Sequence, residues 1–164
     1  MEQRDLEAVE GRLTSILLGW GAASTVLGSV LWAAGWRSRR TELLRFGRQT
    51  ALWGATDSAI ALAGSRARRR RGELDQAEVD AKARTLLITL VVNGIADVAY
   101  VAGGARVWAR TGAAHPSTQD FEDASMSQTY WGMGRGDGAA IIIQGGFLLV
   151  LDSVFALRLS RVRH

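Results

Sequence analysis

From Leu13 to Trp36 the chain carries no charged residue, a run longer than the roughly 20 apolar residues that cross a hydrocarbon core. Three further apolar runs follow, each holding a single acid: about Gln49 to Ser65 around Asp57, about Thr85 to Ala105 around Asp97, and about Gly138 to Leu157 around Asp152. Together they predict an all-α fold, a four-transmembrane-helix bundle forming one integral membrane domain over residues 1–164. The second run is the shortest. At about 1.5 Å per residue it reaches roughly 26 Å, just short of a typical core, and so it admits a re-entrant or interfacial segment.

The connections are strongly polar. Between the second and third runs, Arg66, Arg68, Arg69, Arg70 and Arg71 lead into Glu73 to Arg84. There the Glu78 to Lys82 and Asp80 to Arg84 spacings suit a solvated helix that continues into the third run. The longest connection, residues 106–137, holds the only proline, Pro116, and the acids Asp120, Glu122 and Asp123. Ser117 and Asp120 have the spacing of a cap for a short surface helix. The first dozen residues mix Glu2, Asp5, Glu7 and Glu10 with Arg4 and Arg12. A secretory signal begins basic and has a shorter apolar stretch, so the first run is expected to be retained as a helix.

Mean hydropathy is only +0.04, and the formal net charge is +4. The average conceals segregation, because the basic residues cluster beside the apolar runs rather than covering one face. All of them but Lys82 are arginine. A nucleic-acid surface would call for basic residues interleaved with exposed aromatics or a reading motif, and neither is present. Counted by side, the N-terminus, the Arg66–Arg84 loop and the C-terminus hold 12 basic residues against 8 in the other two loops. That bias places both termini on the cytoplasmic side of a multi-pass protein of the cell (inner) membrane. Trp36, Trp108, Tyr130 and Trp131 would then form an aromatic belt at the outer interface.

A carboxylate near a helix centre opposes insertion by roughly 2.5 to 3.5 kcal/mol, so Asp57, Asp97 and Asp152 call for a reason. No arginine or lysine lies within the four runs, although Arg48 and Arg158 stand at their ends. A carboxyl group in such surroundings is least costly when protonated or beside a cation or water. Asn93, Asp97 and Tyr100 share a helical face at the i, i+4, i+7 spacing, and Trp53, Asp57 and Gly64 make a similar stripe. Gln144 and Asp152, eight apart, are expected on roughly one face of the fourth helix. With antiparallel neighbours these groups stagger through the membrane as a polar column. The same groups admit a second reading, in which they bond helix to helix as packing contacts. Gly21, Ser24 and Gly28, with Gly94, Gly103, Gly104, Gly145 and Gly146, favour close helix approach under both readings.

Two stretches carry a resemblance: Asn93 to Gly104, with Asp97 and Tyr100 inside, and Ile143 to Asp152, with Gln144 near its start. Together with Trp20, and Trp53 four residues before a polar position, they are similar to an uncharacterised bacterial family of four-helix integral membrane proteins, a domain of unknown function. The resemblance spans all four runs and implies the fold. It marks Asn93, Asp97, Gln144 and Asp152 as the positions to test and implies no activity. Where that family carries asparagine after the tryptophan, this chain has Asp57, so a negative charge at that position is not implied to be essential.

Other chemistries fit less well. Cysteine is absent and histidine occurs only at His115 and His164, which leaves no thiolate or bis-histidine metal site. A hard cation on Asp, Asn, Gln and carbonyl oxygens is still allowed. Gly134-Arg135-Gly136-Asp137 matches the Gly-x-Gly-Asp string of intramembrane aspartyl proteases, yet their partner motifs are missing. The glycines from Gly132 to Gly138 read instead as a flexible lead into the fourth helix. The expectation is therefore a non-enzymatic membrane protein without a cofactor. Asp97, Asp152, Asn93, Gln144, Asp57 and Tyr100 would form a polar site that binds or conducts protons, a cation or a small polar ligand. The alternative is a scaffold or accessory subunit. Arg66, Arg68, Arg69, Arg70 and Arg71 are expected to meet anionic lipid head groups. Four helices are few for an internal pathway, which favours a homo-oligomer if transport occurs.

Overall fold

The computed structural model describes residues 1–111 and 133–162. Within them, four helices follow one another: α1 Gln3–Arg37, α2 Thr41–Arg69, α3 Gln76–Arg110 and α4 Arg135–Val162. The all-α expectation holds, with no strand among the described residues. Pro116, the Ser117 and Asp120 cap, Tyr130, Trp131, His115 and His164 lie outside them.

Among the described residues α1, α3 and α4 are long and apolar enough to cross a membrane. Helix α2 does not meet that standard, for a reason visible in its sequence. Glu42, Arg45 and Arg48 occupy its first turns, Arg66, Arg68 and Arg69 its last, and Gln49, Thr50, Thr56 and Asp57 dilute the apolar middle. It is nonetheless one unbroken helix of 29 residues, about 43 Å long, and does not turn back within its length.

Helix α3 joins the solvated segment to the third apolar run, as the charge spacing predicts. It starts at a capping box: Glu78 N donates to Asp75 Oδ1 at 2.8 Å and Asp75 N donates to Glu78 Oε2 at 3.1 Å. These bonds satisfy two of the orphan amides of a helix start. Glu78 is thereby committed to the cap, and Asp80 accepts from Gln76 at 3.1 Å. Neither of the expected pairs with Lys82 and Arg84 forms among the described residues. The α1–α2 turn is a Schellman ending, with Arg40 N donating to Gly35 O at 3.0 Å and Arg39 in the left-handed region at φ 52°.

The two halves of the chain each pack as an antiparallel pair, α1 with α2 and α3 with α4. On α1, Gly21, Gly28 and Gly35 recur every seven residues, and on α2 so do Gly47, Gly54 and Ala61, a heptad repeat that keeps one seam facing its partner. A Cβ on Gly28 would fall on the backbone nitrogen of Ala51, and one on Gly47 would fall on that of Trp32. Backbones this close gain dispersion and weak Cα–H···O contacts that larger residues would exclude. The α3–α4 pair is looser: Gly104 lies against Gly138 and Ile141, and Gly145 against Val101. Gly103 and Gly146 have nothing within 4 Å of an added Cβ, so not every expected small residue is a contact.

Larger side chains join the pairs. Leu6 of α1 is buried with Val79 and Ala83 of α3. Leu90, Leu151 and Phe155 form a second cluster, against which Val9, Leu13 and Leu17 of α1 pack. Helices α2 and α4 meet mainly through the contacts of the α4 start described below, whereas α1 touches α3 and α4 sparsely.

Candidate functional site

All four helices contribute to one cavity of about 420 Å³. Its polar lining includes Thr14 from α1, Asp57 from α2, Thr89, Asn93, Asp97 and Tyr100 from α3, and Asp152 from α4. The predicted face of α3 arises from helical geometry, since residues four and seven apart return to the same side. The cavity occupies the space between α2 and α3, which are bridged by Trp53 and Tyr100, edge to face at 5.1 Å. From Tyr100 to Leu86 its α3 wall extends about 21 Å along the helix. Leu13, Leu17, Leu90 and Leu151 supply apolar walls.

The three aspartates are 2, 6 and 7% exposed at positions 57, 97 and 152. Asp57 Oδ2 and Asp97 Oδ2 are buried without a hydrogen-bond partner among the described residues. Asp152 differs, in that the Asn93 side chain lies beside its carboxyl group. Buried carboxyl oxygens without donors cost about 1–3 kcal/mol each, and acids that share one cavity repel one another when ionised. Among the described residues no three His, Cys, Asp or Glu side chains are close enough to hold one metal ion. The acids are thus spaced along the cavity rather than gathered at a point. Chemically this arrangement can accept protons, or hydrogen-bond a small polar or cationic group, at several positions along its length.

Gln144 lies elsewhere. Its Oε1 accepts from Trp20 Nε1 at 2.6 Å and its Nε2 donates to Ser24 Oγ at 3.2 Å, which fastens α4 to α1. Trp20 also stacks on Phe147, with ring centroids 4.0 Å apart. Gln144 does not line the cavity: eight residues at about 100° each leave it roughly 80° around the helix from Asp152.

A second polar cluster was not anticipated. Arg48, near the start of α2, donates to Asp137 Oδ1 at 2.7 Å, and both residues are buried. Asp137 Oδ2 accepts from Gly134 N at 3.0 Å, capping α4. Glu42 accepts from Gly136 N, and Arg135 lies over the Trp108 ring, 4.7 Å from its centroid. The glycines here are contact positions rather than a flexible lead: a Cβ on Gly136 would strike the Glu42 carbonyl oxygen, and one on Gly138 would lie 2.8 Å from Gly104 O. Asp137, the acid of the Gly-x-Gly-Asp string, is held by Arg48 and lies outside the cavity. The signal for this pair was the presence of two charges at the starts of two helices that run parallel.

The arginine loop divides. Arg71 makes a bidentate pair with Glu10 at 2.8 and 3.1 Å, and Arg68 donates to Thr14 Oγ1 at 3.0 Å, so both face α1. Arg66, Arg69 and Arg70 are exposed.

Among the described residues these features define an all-α arrangement of four helices, three of them long and apolar enough to cross a membrane, around a cavity lined by three buried aspartates. The chain belongs to a family of unknown function (DUF6992), whose model matches residues 16–153, a range that includes every cavity acid. No curated protein and no solved structure matches it.

Proposed function

We propose that the protein is a multi-pass protein of the cell membrane, with both termini cytoplasmic, whose acidic cavity binds and exchanges protons or a small cationic or polar ligand. The observation that carries this reading is the cavity of about 420 Å³ shared by Asp57, Asp97 and Asp152, with two carboxyl oxygens unpartnered among the described residues. Packing contacts alone would leave such groups bonded to one another, as Gln144 is to Trp20 and Ser24. Buried acids that do not hold helices together lower stability, and they persist where their chemistry is used. Carboxyl groups spaced along a helix-lined path suit stepwise proton transfer or a ligand that spans several of them. Exposed Arg66, Arg69 and Arg70 would contact anionic head groups at the cytoplasmic surface.

The test is proton and cation flux into proteoliposomes for the parent and for Asp97→Asn and Asp152→Asn, with thermal unfolding measured alongside. Flux lost in variants that unfold at or above the parent temperature is the expected result. No flux in the parent, with variants that lose stability, would favour a second reading as a scaffold. That reading draws on the Gln144 and Arg48–Asp137 contacts, which are helix-to-helix bonds.

A further inference from the structure

At the end of the bundle where α1 begins and α4 finishes, Arg12, Arg158 and Arg161 surround a pocket of about 440 Å³ floored by Ala8, Val9 and Phe155. Arg158 lies over the Phe155 ring, 5.6 Å from its centroid. None of the three guanidinium groups has an ion-pair partner among the described residues. Nearby acids of α1 are engaged elsewhere: Asp5 accepts from Glu2 N at 3.3 Å, Glu7 from Gln3 at 2.8 Å, and Glu10 is paired with Arg71. Three cations share an apolar-floored pocket with no compensating anion, so the pocket is complementary to a negative group carrying an apolar portion.

Its position in the sequence narrows the ligand. Arg12 is the last charge before the uncharged run of α1, and Arg158 and Arg161 are the first basic residues after the apolar run of α4. The two apolar segments therefore end at one level, where a membrane's phosphate groups lie. We infer that this pocket binds the phosphate of an anionic phospholipid, with guanidinium forks on its oxygens and the lipid chain starting along Val9 and Phe155. The site is separate from the arginine loop, whose Arg68 and Arg71 are turned to α1. The inference rests on the membrane placement proposed above and is independent of what the cavity carries.

The experiment begins with a carbonate wash of membranes containing the full chain. Release of the protein by the wash overturns the membrane placement itself. With the protein retained, purified material in detergent is titrated with short-chain phosphatidylglycerol, phosphatidylcholine or inorganic phosphate. Binding is read by native mass spectrometry and by the unfolding temperature. The parent is expected to retain phosphatidylglycerol and gain stability from it, with little response to phosphatidylcholine or free phosphate. Replacing Arg12, Arg158 and Arg161 by Gln should weaken that binding by roughly 100-fold, at about fivefold per cation. Arg37→Gln with Arg40→Gln, exposed at the opposite end of the bundle, should leave it unchanged. Should the triple variant unfold before titration, the single Arg158→Lys change, which keeps the charge and removes the fork, must still weaken binding. Equal response to inorganic phosphate, equal binding of both lipids, or equal loss in the Arg37 and Arg40 variant would each overturn the proposal.

Discussion

Gln144 and Asp97 are both buried polar residues on the α3–α4 half, and their substitution by leucine should move stability in opposite directions. Gln144 makes two bonds to α1. Inter-helix hydrogen bonds of this kind average about 0.6 kcal/mol each, and truncation also leaves the Trp20 indole N–H without its acceptor, adding roughly 1 kcal/mol. Gln144→Leu should therefore lose about 2 kcal/mol. Asp97 instead keeps a buried oxygen with no donor among the described residues, beside a cavity with room for added methyl groups. Asp97→Leu removes a desolvation cost of about 1–3 kcal/mol and should raise stability by about 1 kcal/mol or more while abolishing flux. The assay is reversible unfolding in mixed detergent micelles followed by tryptophan fluorescence, with the parent and both variants in one lipid composition. If Asp97→Leu loses as much stability as Gln144→Leu, Asp97 is a helix-to-helix bond and the cavity reading fails.

Two other changes test the packing. Arg48→Met and Asp137→Leu should each lose about 3–5 kcal/mol, because each strands a buried charge, whereas the double variant should recover most of that loss; a double-mutant cycle with coupling near zero would remove the ion pair from the account. Gly28→Ala should destabilise by about 2 kcal/mol through backbone overlap with Ala51, despite alanine's better helix propensity. Gly103→Ala, with nothing within 4 Å, should be neutral or gain up to about 1 kcal/mol. Chemical unfolding of the two glycine variants side by side decides the matter, and equal effects would count against the seam.

The helices were legible because charge is excluded from long runs and returns abruptly at their ends. Helix α2 was the least legible: its polar middle shortened the apolar run, while the helix itself extends through charged turns at both ends. The cavity groups on α3 were legible from spacing within one helix, which is a local property. Gln144 was misplaced by the same logic stretched over eight residues, where a small angular offset becomes a different neighbour. Arg48 with Asp137 could not be read from spacing, since 89 residues separate them and only the folded arrangement brings two parallel helix starts together. Gly35, Gly47 and Gly54 were visible as glycines, yet their contact partners depend on the register between helices.

The glycine seam between α1 and α2 divides the molecule mechanically. Contact between backbones has little slack, so α1 and α2 can shift against each other only by breaking many contacts at once. The joint to the α3–α4 half is pinned at the start of α4 by backbone contact at Gly136 and by the Arg48–Asp137 pair, whereas toward the other end it is built of leucine, valine and phenylalanine side chains, which can change rotamer without such a loss. Deformation concentrates where a structure is softest, and here that is the unpinned part of the boundary, with Asp57 on one side and Asp97 and Asp152 on the other. One stiff pair thus meets a looser one across an acid-lined gap that is fixed at the end where α4 starts.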